Sequence, residues 1–201
     1  METSCMIYKI LIDPLLRSVR HCLKEMIPPG SSVLEMGSGT GAQACTLAGR
    51  CGRYLGIDLN PDMTSCAAHR CSKQGYTNTA FKNADGSNLD FITDHEFDIA
   101  TITLALHAMK HETRMAILSE LNRVARKIII MDYSSPLPRS LAGFFTRSIE
   151  KIAGKEHYSG FRDYQQRRGI SPLISEAGLT ATSERRTLAG IIQITTCGEP
   201  Q

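Results

Sequence analysis

Residues 32–41 read Ser-Val-Leu-Glu-Met-Gly-Ser-Gly-Thr-Gly. The first five are typical of a buried strand, and the next five carry glycine at every second position. Glycine adopts backbone conformations that other residues avoid, so such a loop turns sharply and lets a ligand approach its backbone closely. A helical pattern begins at Ala42, directly after the loop. A strand, a glycine loop and a helix in this order predict the ligand-binding unit of an open α/β sheet.

The rest of the chain continues this alternation of strands and helices. Further strands are predicted at 54–59, 79–83, 97–106 and 127–132, and helices at 7–26, 42–50, 60–74 and 112–125. Alternation of this kind is typical of a parallel sheet with right-handed crossovers. After Tyr133 the pattern changes to helices within 138–152 and 161–177, followed by two strands, 180–187 and 190–196. A tight turn at 188–190 predicts that these two strands form a closing hairpin at one edge of the sheet.

Charge and composition argue against several classes of partner. The net charge of +3 is spread along the chain rather than gathered in a basic stripe, so we expect no nucleic-acid partner. No apolar run reaches the roughly 20 residues that a membrane span needs. No signal-peptide pattern is present at the N-terminus. The seven cysteines include no C-x-x-C pair, so no metal site is predicted, and reduced thiols in the cytoplasm are expected.

Two acidic residues follow predicted strands at the edge that carries the glycine loop. Asp58 ends the second strand, where an acid can accept both hydroxyl protons of a bound ribose. Its structural alternative is an acid at the start of the helix that Asn60 and Pro61 open. Asp85 follows the third strand, where it can accept a hydrogen bond from the amino group of an adenine ring. Its alternative is structural, because Asp-Gly is also a common turn.

Five stretches occur in an order and spacing that resemble a known family. They are VLEMGSGTG (33–41), GIDLNPDM (56–63), NADGSNLDF (83–91), FDIATITLALH (97–107) and LSELNRVARKIIIMD (118–132). The chain is similar to class I S-adenosylmethionine-dependent methyltransferases, in the small-molecule group of ubiquinone/menaquinone biosynthesis C-methyltransferases. The resemblance implies a Rossmann-like three-layer sandwich of class α/β, with a seven-stranded, mostly parallel sheet and an antiparallel C-terminal strand. It also implies S-adenosylmethionine as cofactor and S-adenosylhomocysteine as product.

The resemblance also implies roles for matching residues. Glu35 would support the loop, Asp58 would hold the ribose hydroxyls, and Asp85 would bind the adenine amine. The complete set of implied cofactor-binding residues is Glu35, Gly37, Ser38, Gly39, Asp58, Leu59, Asp85, Gly86 and Leu104. Two departures concern loops: Asp90 stands where the family often has proline, and Arg126-Lys127 replaces a Lys-Pro-Gly-Gly turn.

We expect one domain over residues 1–201, organised in three parts. Residues 1–29 would form a helix that covers the site, 30–133 the cofactor-binding half, and 134–201 the substrate-side helices and the hairpin. On the substrate side His107 is a candidate general base, with a plain pocket-lining histidine as the alternative. Tyr8, Tyr133 and Tyr158 are candidate substrate-lining residues, with a place in the core as the alternative.

The predicted reaction is transfer of a methyl group from S-adenosylmethionine to a small molecule by in-line displacement. Two alternatives stay open at this point. The same strand, loop and helix can hold NAD(P) in an oxidoreductase, although the spacing G-x-G-x-G differs from the dinucleotide pattern G-x-G-x-x-G and no Tyr-x-x-x-Lys pair is evident. A non-catalytic member of the fold would bind the cofactor only. The sequence indicates neither the atom that is methylated nor the oligomeric state.

Overall fold

A mixed seven-stranded sheet with helices along its strands forms the framework of the protein. The structure is a computed structural model and describes residues 16–152 and 154–198. Contacts within the chain divide it into two compact units, Met1–Ala100 and Thr101–Gln201. The α/β, Rossmann-like prediction is confirmed.

The first unit carries the glycine loop. Its elements are α1 (Arg17–Met26), β1 (Ser32–Met36), α2 (Ala42–Leu47), β2 (Arg53–Asp58), α3 (Pro61–Lys73), β3 (Thr79–Asn83) and the start of β4 (Phe97–Thr103). The strands β1, β2 and β3 are parallel, with Val33 opposite Tyr54 and Leu55 opposite Ala80. The side chain of Asn60 caps α3 by accepting the Asp62 N–H at 2.9 Å, and Pro61 follows as predicted.

The second unit carries the remaining strands. Its elements are a 3-10 helix (Leu106–Ala108), α4 (His111–Val124), β5 (Ala125–Tyr133), α5 (Leu141–Ile152), α6 (Lys155–Gln166), α7 (Ile170–Glu176), β6 (Ala181–Thr187) and β7 (Ile192–Gly198). The strand order is β3-β2-β1-β4-β5-β7-β6. Strand β7 is antiparallel to both β5 and β6, which confirms the predicted closing hairpin and antiparallel C-terminal strand.

Three predicted elements have the wrong bounds. The helix predicted at 42–50 ends at Leu47. Strand β4 ends at Thr103 rather than at residue 106, because Leu104 takes a left-handed φ of 50° that breaks the extended backbone. The helix predicted within 161–177 is two helices, α6 and α7. Arg168 and Gly169 between them have φ of 66° and 75°, which no α-helix contains. The predicted helix at 7–26 is seen from Arg17, and its earlier part lies outside the described residues.

The cysteines depart in one place from the expectation of reduced thiols. Cys22, Cys45, Cys51, Cys71 and Cys197 form no disulfide. Cys66 is disulfide-bonded, so the expectation is wrong for this residue. Among the described residues, no helix has both the length and the apolar character needed to cross a membrane.

Candidate cofactor and acceptor sites

The glycine loop joins β1 to α2 through three left-handed glycines. Gly37, Gly39 and Gly41 have φ of 74°, 49° and 73°, values that residues with a side chain rarely adopt. A Cβ on Gly41 would lie 2.8 Å from Ala67, so the loop packs directly on α3. A Cβ on Gly39 would meet nothing within 4 Å. Gly39 therefore presents bare backbone to open space, as a loop that cradles a ligand should.

Asp58 closes this loop from the end of β2. Its Oδ2 accepts the Gly39 N–H at 2.8 Å, and its Oδ1 accepts the Asn60 N–H at 2.9 Å. The carboxylate is half-buried, and each oxygen has a further lone pair for a ligand hydroxyl. The structural alternative raised by the sequence is present, because Asp58 orients the start of α3, and its contact with a ribose stays a prediction. One carboxylate thus holds the loop and the helix entry together.

Asp85 and Gly86 lie at the end of β3 as predicted. Asp85 is exposed, and its Oδ1 accepts both the backbone N–H and the hydroxyl of Ser87, at 2.9 and 2.7 Å. These two bonds lower the pKa of Asp85, so the carboxylate is charged at neutral pH. A Cβ on Gly86 would lie 2.1 Å from the sulfur of Met36, so only glycine fits there without a shift of the neighbouring side chain. The turn described from the sequence is therefore present, and the bond from the adenine amine to Asp85 stays a prediction.

Glu35 is a buried acid whose environment the sequence does not reveal. Its side chain is 3% exposed and accepts a short hydrogen bond from the Tyr54 hydroxyl. Burial raises the pKa of Glu35 to about 8, and the Tyr54 bond and the Arg20 charge offset only part of that rise. Glu35 is therefore mostly protonated at neutral pH. It supports the pairing of β1 with β2 beneath the loop.

The remaining predicted cofactor residues divide by environment. Leu59 is 73% exposed, so its apolar side chain is available to cover a flat ring. Ser38 is buried, and its hydroxyl has no hydrogen-bond partner among the described residues. Leu104 lies in the second unit, where its N–H donates to the Met131 carbonyl at 2.7 Å. These features fit the adenosine part of S-adenosylmethionine, which carries no phosphate. They are the open backbone at Gly39, the Asp58 carboxylate and the exposed side chain of Leu59.

His107 lies in the 3-10 helix of the second unit and is 3% exposed. Its Nδ1–H donates to Oδ1 of Asp132 at 2.7 Å, and its backbone N–H donates to the other oxygen of Asp132 at 3.1 Å. Its Nε2 lies 3.5 Å from Oε2 of Glu150. Burial alone would lower the pKa of His107, but the charges and hydrogen bonds of Asp132 and Glu150 raise it to about 9. Both ring nitrogens therefore face carboxylates.

Glu150 on α5 is the centre of this cluster. Its Oε2 accepts the Nε2–H of His157 at 2.6 Å, and its Oε1 accepts the Tyr133 hydroxyl at 2.8 Å. Burial favours the neutral acid, but the bonds and charges of His107, Tyr133 and His157 lower the pKa of Glu150 below its usual value. Rings surround the cluster: those of Tyr133 and Phe161 lie 4.6 and 6.3 Å from the ring of His107.

Arg114 fixes the elements that carry these groups. Its side chain is fully buried, and its Nε donates to the Leu106 carbonyl at 2.8 Å. Its two terminal nitrogens donate to the Gly160 carbonyl at 2.7 Å and to Asp163 at 2.6 Å. Helix α6 packs closely on the 3-10 helix, since a Cβ on Gly160 would lie 2.5 Å from the Ala108 carbonyl oxygen. The turn that bears His107 and the helix that bears His157 are thus held together.

The predicted substrate-lining tyrosines have different outcomes. Tyr133 is half-buried and belongs to the cluster of His107 and Glu150. Tyr158 is half-buried and stacks on Phe161 with ring centroids 6.2 Å apart. Tyr8 lies outside the described residues. Sequence reasoning missed Asp132, Glu150 and Arg114. No local spacing connects them, although a carboxylate at the end of the apolar run of β5 was a visible signal for Asp132.

Comparison with known proteins agrees with this description. Residues 33–127 match a family model described as a methyltransferase domain. The chain is 27% identical over 182 residues to a demethylmenaquinone methyltransferase of Beutenbergia cavernae, covering 83% of this chain and 72% of the relative. It is 24% identical to a ubiquinone/menaquinone biosynthesis C-methyltransferase of Cupriavidus necator, covering 84% and 75%. Magnesium protoporphyrin IX methyltransferase from Synechocystis, solved with bound S-adenosylhomocysteine, shares the fold with a TM-score of 0.63 at 18% identity, covering 94% of this chain and 83% of that one.

A Rossmann-like sheet with a glycine loop and an acid at the end of the next strand defines a class of nucleoside-binding enzymes. Together with these matches, it supports a class I S-adenosylmethionine-dependent methyltransferase that is similar to the ubiquinone/menaquinone biosynthesis enzymes. The protein is an enzyme that methylates a small molecule, and its cofactor is S-adenosylmethionine. The alternatives of an NAD(P) oxidoreductase and of a non-catalytic member are not favoured.

Proposed function

We propose that the acceptor is an apolar aromatic small molecule of the quinol class. The observation that carries this proposal is the apolar surface of α5, which exposes large side chains to solvent. Leu141, Phe144, Phe145 and Ile152 are between 61% and 84% exposed. Single exposed apolar residues are ordinary, but several on one helix indicate contact with an apolar partner. The relatives named above include a demethylmenaquinone methyltransferase, whose name describes such an acceptor.

For the cofactor, we propose that the backbone of Gly37 to Gly39 supports the methionine and ribose parts. Asp58 accepts the ribose hydroxyls, Leu59 covers the adenine, and Asp85 accepts the adenine amine. The bound cofactor supplies a sulfonium methyl group that a nucleophile displaces in line. The protein contributes mainly alignment and exclusion of water, because the reactive electrophile arrives with the cofactor. Contacts of Glu35, Ser38, Gly86 and Leu104 with the cofactor also stay predictions.

On the acceptor side, we propose that Tyr133 and Tyr158 line the binding region and that His107 positions its neighbours. His107 is a poor free base in this arrangement, since neither ring nitrogen is turned away from a carboxylate. Deprotonation of the acceptor is therefore not assigned to His107 acting alone. A His107→Gln variant keeps the volume and one hydrogen bond. It is expected to lower kcat while leaving the affinity for S-adenosylhomocysteine unchanged.

Calorimetric binding of S-adenosylhomocysteine tests the cofactor site. The wild type should bind one equivalent, and Asp58→Ala should weaken binding by about 10- to 100-fold, because hydrogen bonds to a charged acceptor contribute about 1.5–3 kcal/mol each. The matched control is Asp62→Ala, an exposed acid four residues further along, which should bind like the wild type. A wild type that does not bind would refute the cofactor site, and equal binding by Asp58→Ala would refute the role of Asp58.

A mass-spectrometric assay tests the acceptor. The enzyme is incubated with S-adenosylmethionine and the reduced (quinol) form of a naphthoquinone that lacks the ring methyl group. The product is examined for one added methyl group. Methylation of this quinol, with no turnover of the oxidised quinone, is the expected result. Binding of the cofactor together with no turnover of any quinol would leave the cofactor site standing and overturn the acceptor class.

Location and assembly complete the proposal. We propose a cytoplasmic enzyme, since among the cysteines in the described part of the chain Cys66 alone is disulfide-bonded. We propose a single functional domain over 1–201. The weak and dispersed positive charge supports an enzyme without a nucleic-acid partner.

A further inference from the structure

We propose that His107, Glu150 and His157 form a binding site for one divalent transition-metal ion. The three residues each offer one ligand atom, and these atoms all lie within 4.8 Å of one another. Two imidazoles and one carboxylate are a ligand set that suits Zn²⁺, Fe²⁺ or Co²⁺ and leaves open positions on the metal. This inference concerns the second unit alone and does not depend on the identity of the methyl acceptor.

The distances are close to those that a bound ion requires. Oε2 of Glu150 lies 3.5 Å from Nε2 of His107 and 2.6 Å from Nε2 of His157. Ligands about 2.0–2.1 Å from a tetrahedral Zn²⁺ lie roughly 3.3 Å from each other. Binding therefore requires the Glu150–His157 pair to separate by under about 1 Å, while the Glu150–His107 distance already suits a shared ion. His157 is the most exposed ligand, at 32% of its side chain, and it offers an entry route for the ion.

The groups behind the ligands favour a metal over a plain hydrogen-bonded cluster. Asp132 accepts the Nδ1–H of His107 at 2.7 Å, which directs Nε2 toward the proposed ion. The Tyr133 hydroxyl donates to Oε1 of Glu150 at 2.8 Å, so Oε2 is the oxygen that faces both histidines. The ion would take the place of the proton that now lies between His157 Nε2 and Oε2, and binding would release that proton. Metal-binding histidines commonly donate their second nitrogen to a carboxylate, and ligating carboxylates are commonly held by a further hydrogen bond. Both features are present here.

The site is also built on fixed elements. His107 lies on the 3-10 helix, Glu150 on α5 and His157 on α6. Arg114 joins the first of these elements to α6 through the carbonyls of Leu106 and Gly160. When the ligands are held in this way, ordering them around an ion costs little free energy. The sequence-based expectation of no metal considered only cysteine spacing, and these ligands are 43 and 7 residues apart in the chain.

Titration with Co²⁺ after removal of metals by a chelator tests the proposal on the full chain. We expect one Co²⁺ per chain, with visible d–d absorption and without the ultraviolet charge-transfer band that a thiolate ligand produces. His157→Ala and Glu150→Gln should each weaken binding at least 100-fold, and Asp132→Asn about 10- to 100-fold through the orientation of His107. The control is His111→Ala, whose Nε2 lies 2.9 Å from Glu176 in a pair without a third ligand. It should bind like the wild type.

A second readout is independent of the spectrum. Zn²⁺ should raise the Tm of the wild type and of His111→Ala, but not that of His157→Ala. Because His157 is partly exposed, its replacement is expected to leave the fold intact. Retained binding of S-adenosylhomocysteine by His157→Ala would show that it does. The test therefore does not depend on the Glu150→Gln variant. No stoichiometric binding by the wild type would overturn the proposal. Equal affinity of the wild type and His157→Ala would overturn it as well.

Discussion

Replacement of Glu35 by glutamine isolates the energetic effect of a buried acid beneath the glycine loop. Glutamine has nearly the same shape and keeps an oxygen that accepts the Tyr54 hydroxyl, but it does not titrate. Burial raises the pKa of Glu35 from its ordinary value of 4.5 to about 8. The perturbation therefore removes one ionisation equilibrium and leaves the packing of β1 against β2 in place.

The sign of the effect follows from proton binding. Between pH 4.5 and 8 the native state keeps the proton on Glu35, whereas the unfolded state has released it. The native state then binds more protons, so this group makes the free energy of unfolding fall as the pH rises. Each pKa unit corresponds to about 1.4 kcal/mol, and the shift of 3.5 units from 4.5 to 8 gives a total of roughly 5 kcal/mol.

We therefore expect Glu35→Gln to differ little from the wild type near pH 4.5 and to be more stable above it. At pH 7 the gain is roughly 3 kcal/mol, and it levels off above pH 8. Urea denaturation at unit intervals from pH 5 to 9 measures the difference, in which all other titrating groups cancel. The control Glu25→Gln, at an exposed position of α1, should follow the wild type at every pH.

Parallel stability curves for Glu35→Gln and the wild type would refute the reasoning. They would mean that Glu35 has the same pKa in the folded and unfolded chain, and hence that its carboxylate is stabilised in place. A direct measurement of the Glu35 pKa by NMR would then be expected near 4.5 rather than 8. Binding of S-adenosylhomocysteine by Glu35→Gln would show at the same time whether this residue also contacts the cofactor.

Three further substitutions test other parts of the structure. Gly39→Ala places a Cβ at a φ of 49° in the open space beside the loop, which should cost about 1–2 kcal/mol of stability. It should also weaken S-adenosylhomocysteine binding at least tenfold in calorimetry. Binding at the wild-type level would show that the ligand does not approach Gly39. Gly86→Ala drives a Cβ into Met36 and should cost about 1–3 kcal/mol in urea denaturation, whereas an unchanged midpoint would show that Met36 moves away freely. Arg114→Met removes the buried guanidinium that donates to the Leu106 and Gly160 carbonyls and to Asp163. It should cost more than about 2 kcal/mol, measured by thermal and urea unfolding; a loss below about 1 kcal/mol would mean that water replaces the guanidinium.

Much of the cofactor half was predictable from the sequence because its signals are local. Asn60 and Pro61 start α3 through interactions within one helical turn. The glycines of residues 37–41 need no distant partner to adopt left-handed conformations. Boundaries were less predictable where a single residue departs from regular backbone, as Leu104 does after β4.

The other groups became recognisable only in three dimensions. The environment of Glu35 depends on Tyr54, which β2 brings beside it from 19 residues away. Glu150 meets His107 from 43 residues away because α6 packs on both α5 and the 3-10 helix of its unit. The sequence by itself determined the strand, loop and helix order, the sheet class and the acids at the strand ends, since short-range propensities and periodicity govern these features. Only the tertiary structure decided which carboxyls are buried, which histidines face a carboxylate and which backbone carbonyls Arg114 joins, because burial and side-chain pairing depend on residues far apart in the chain.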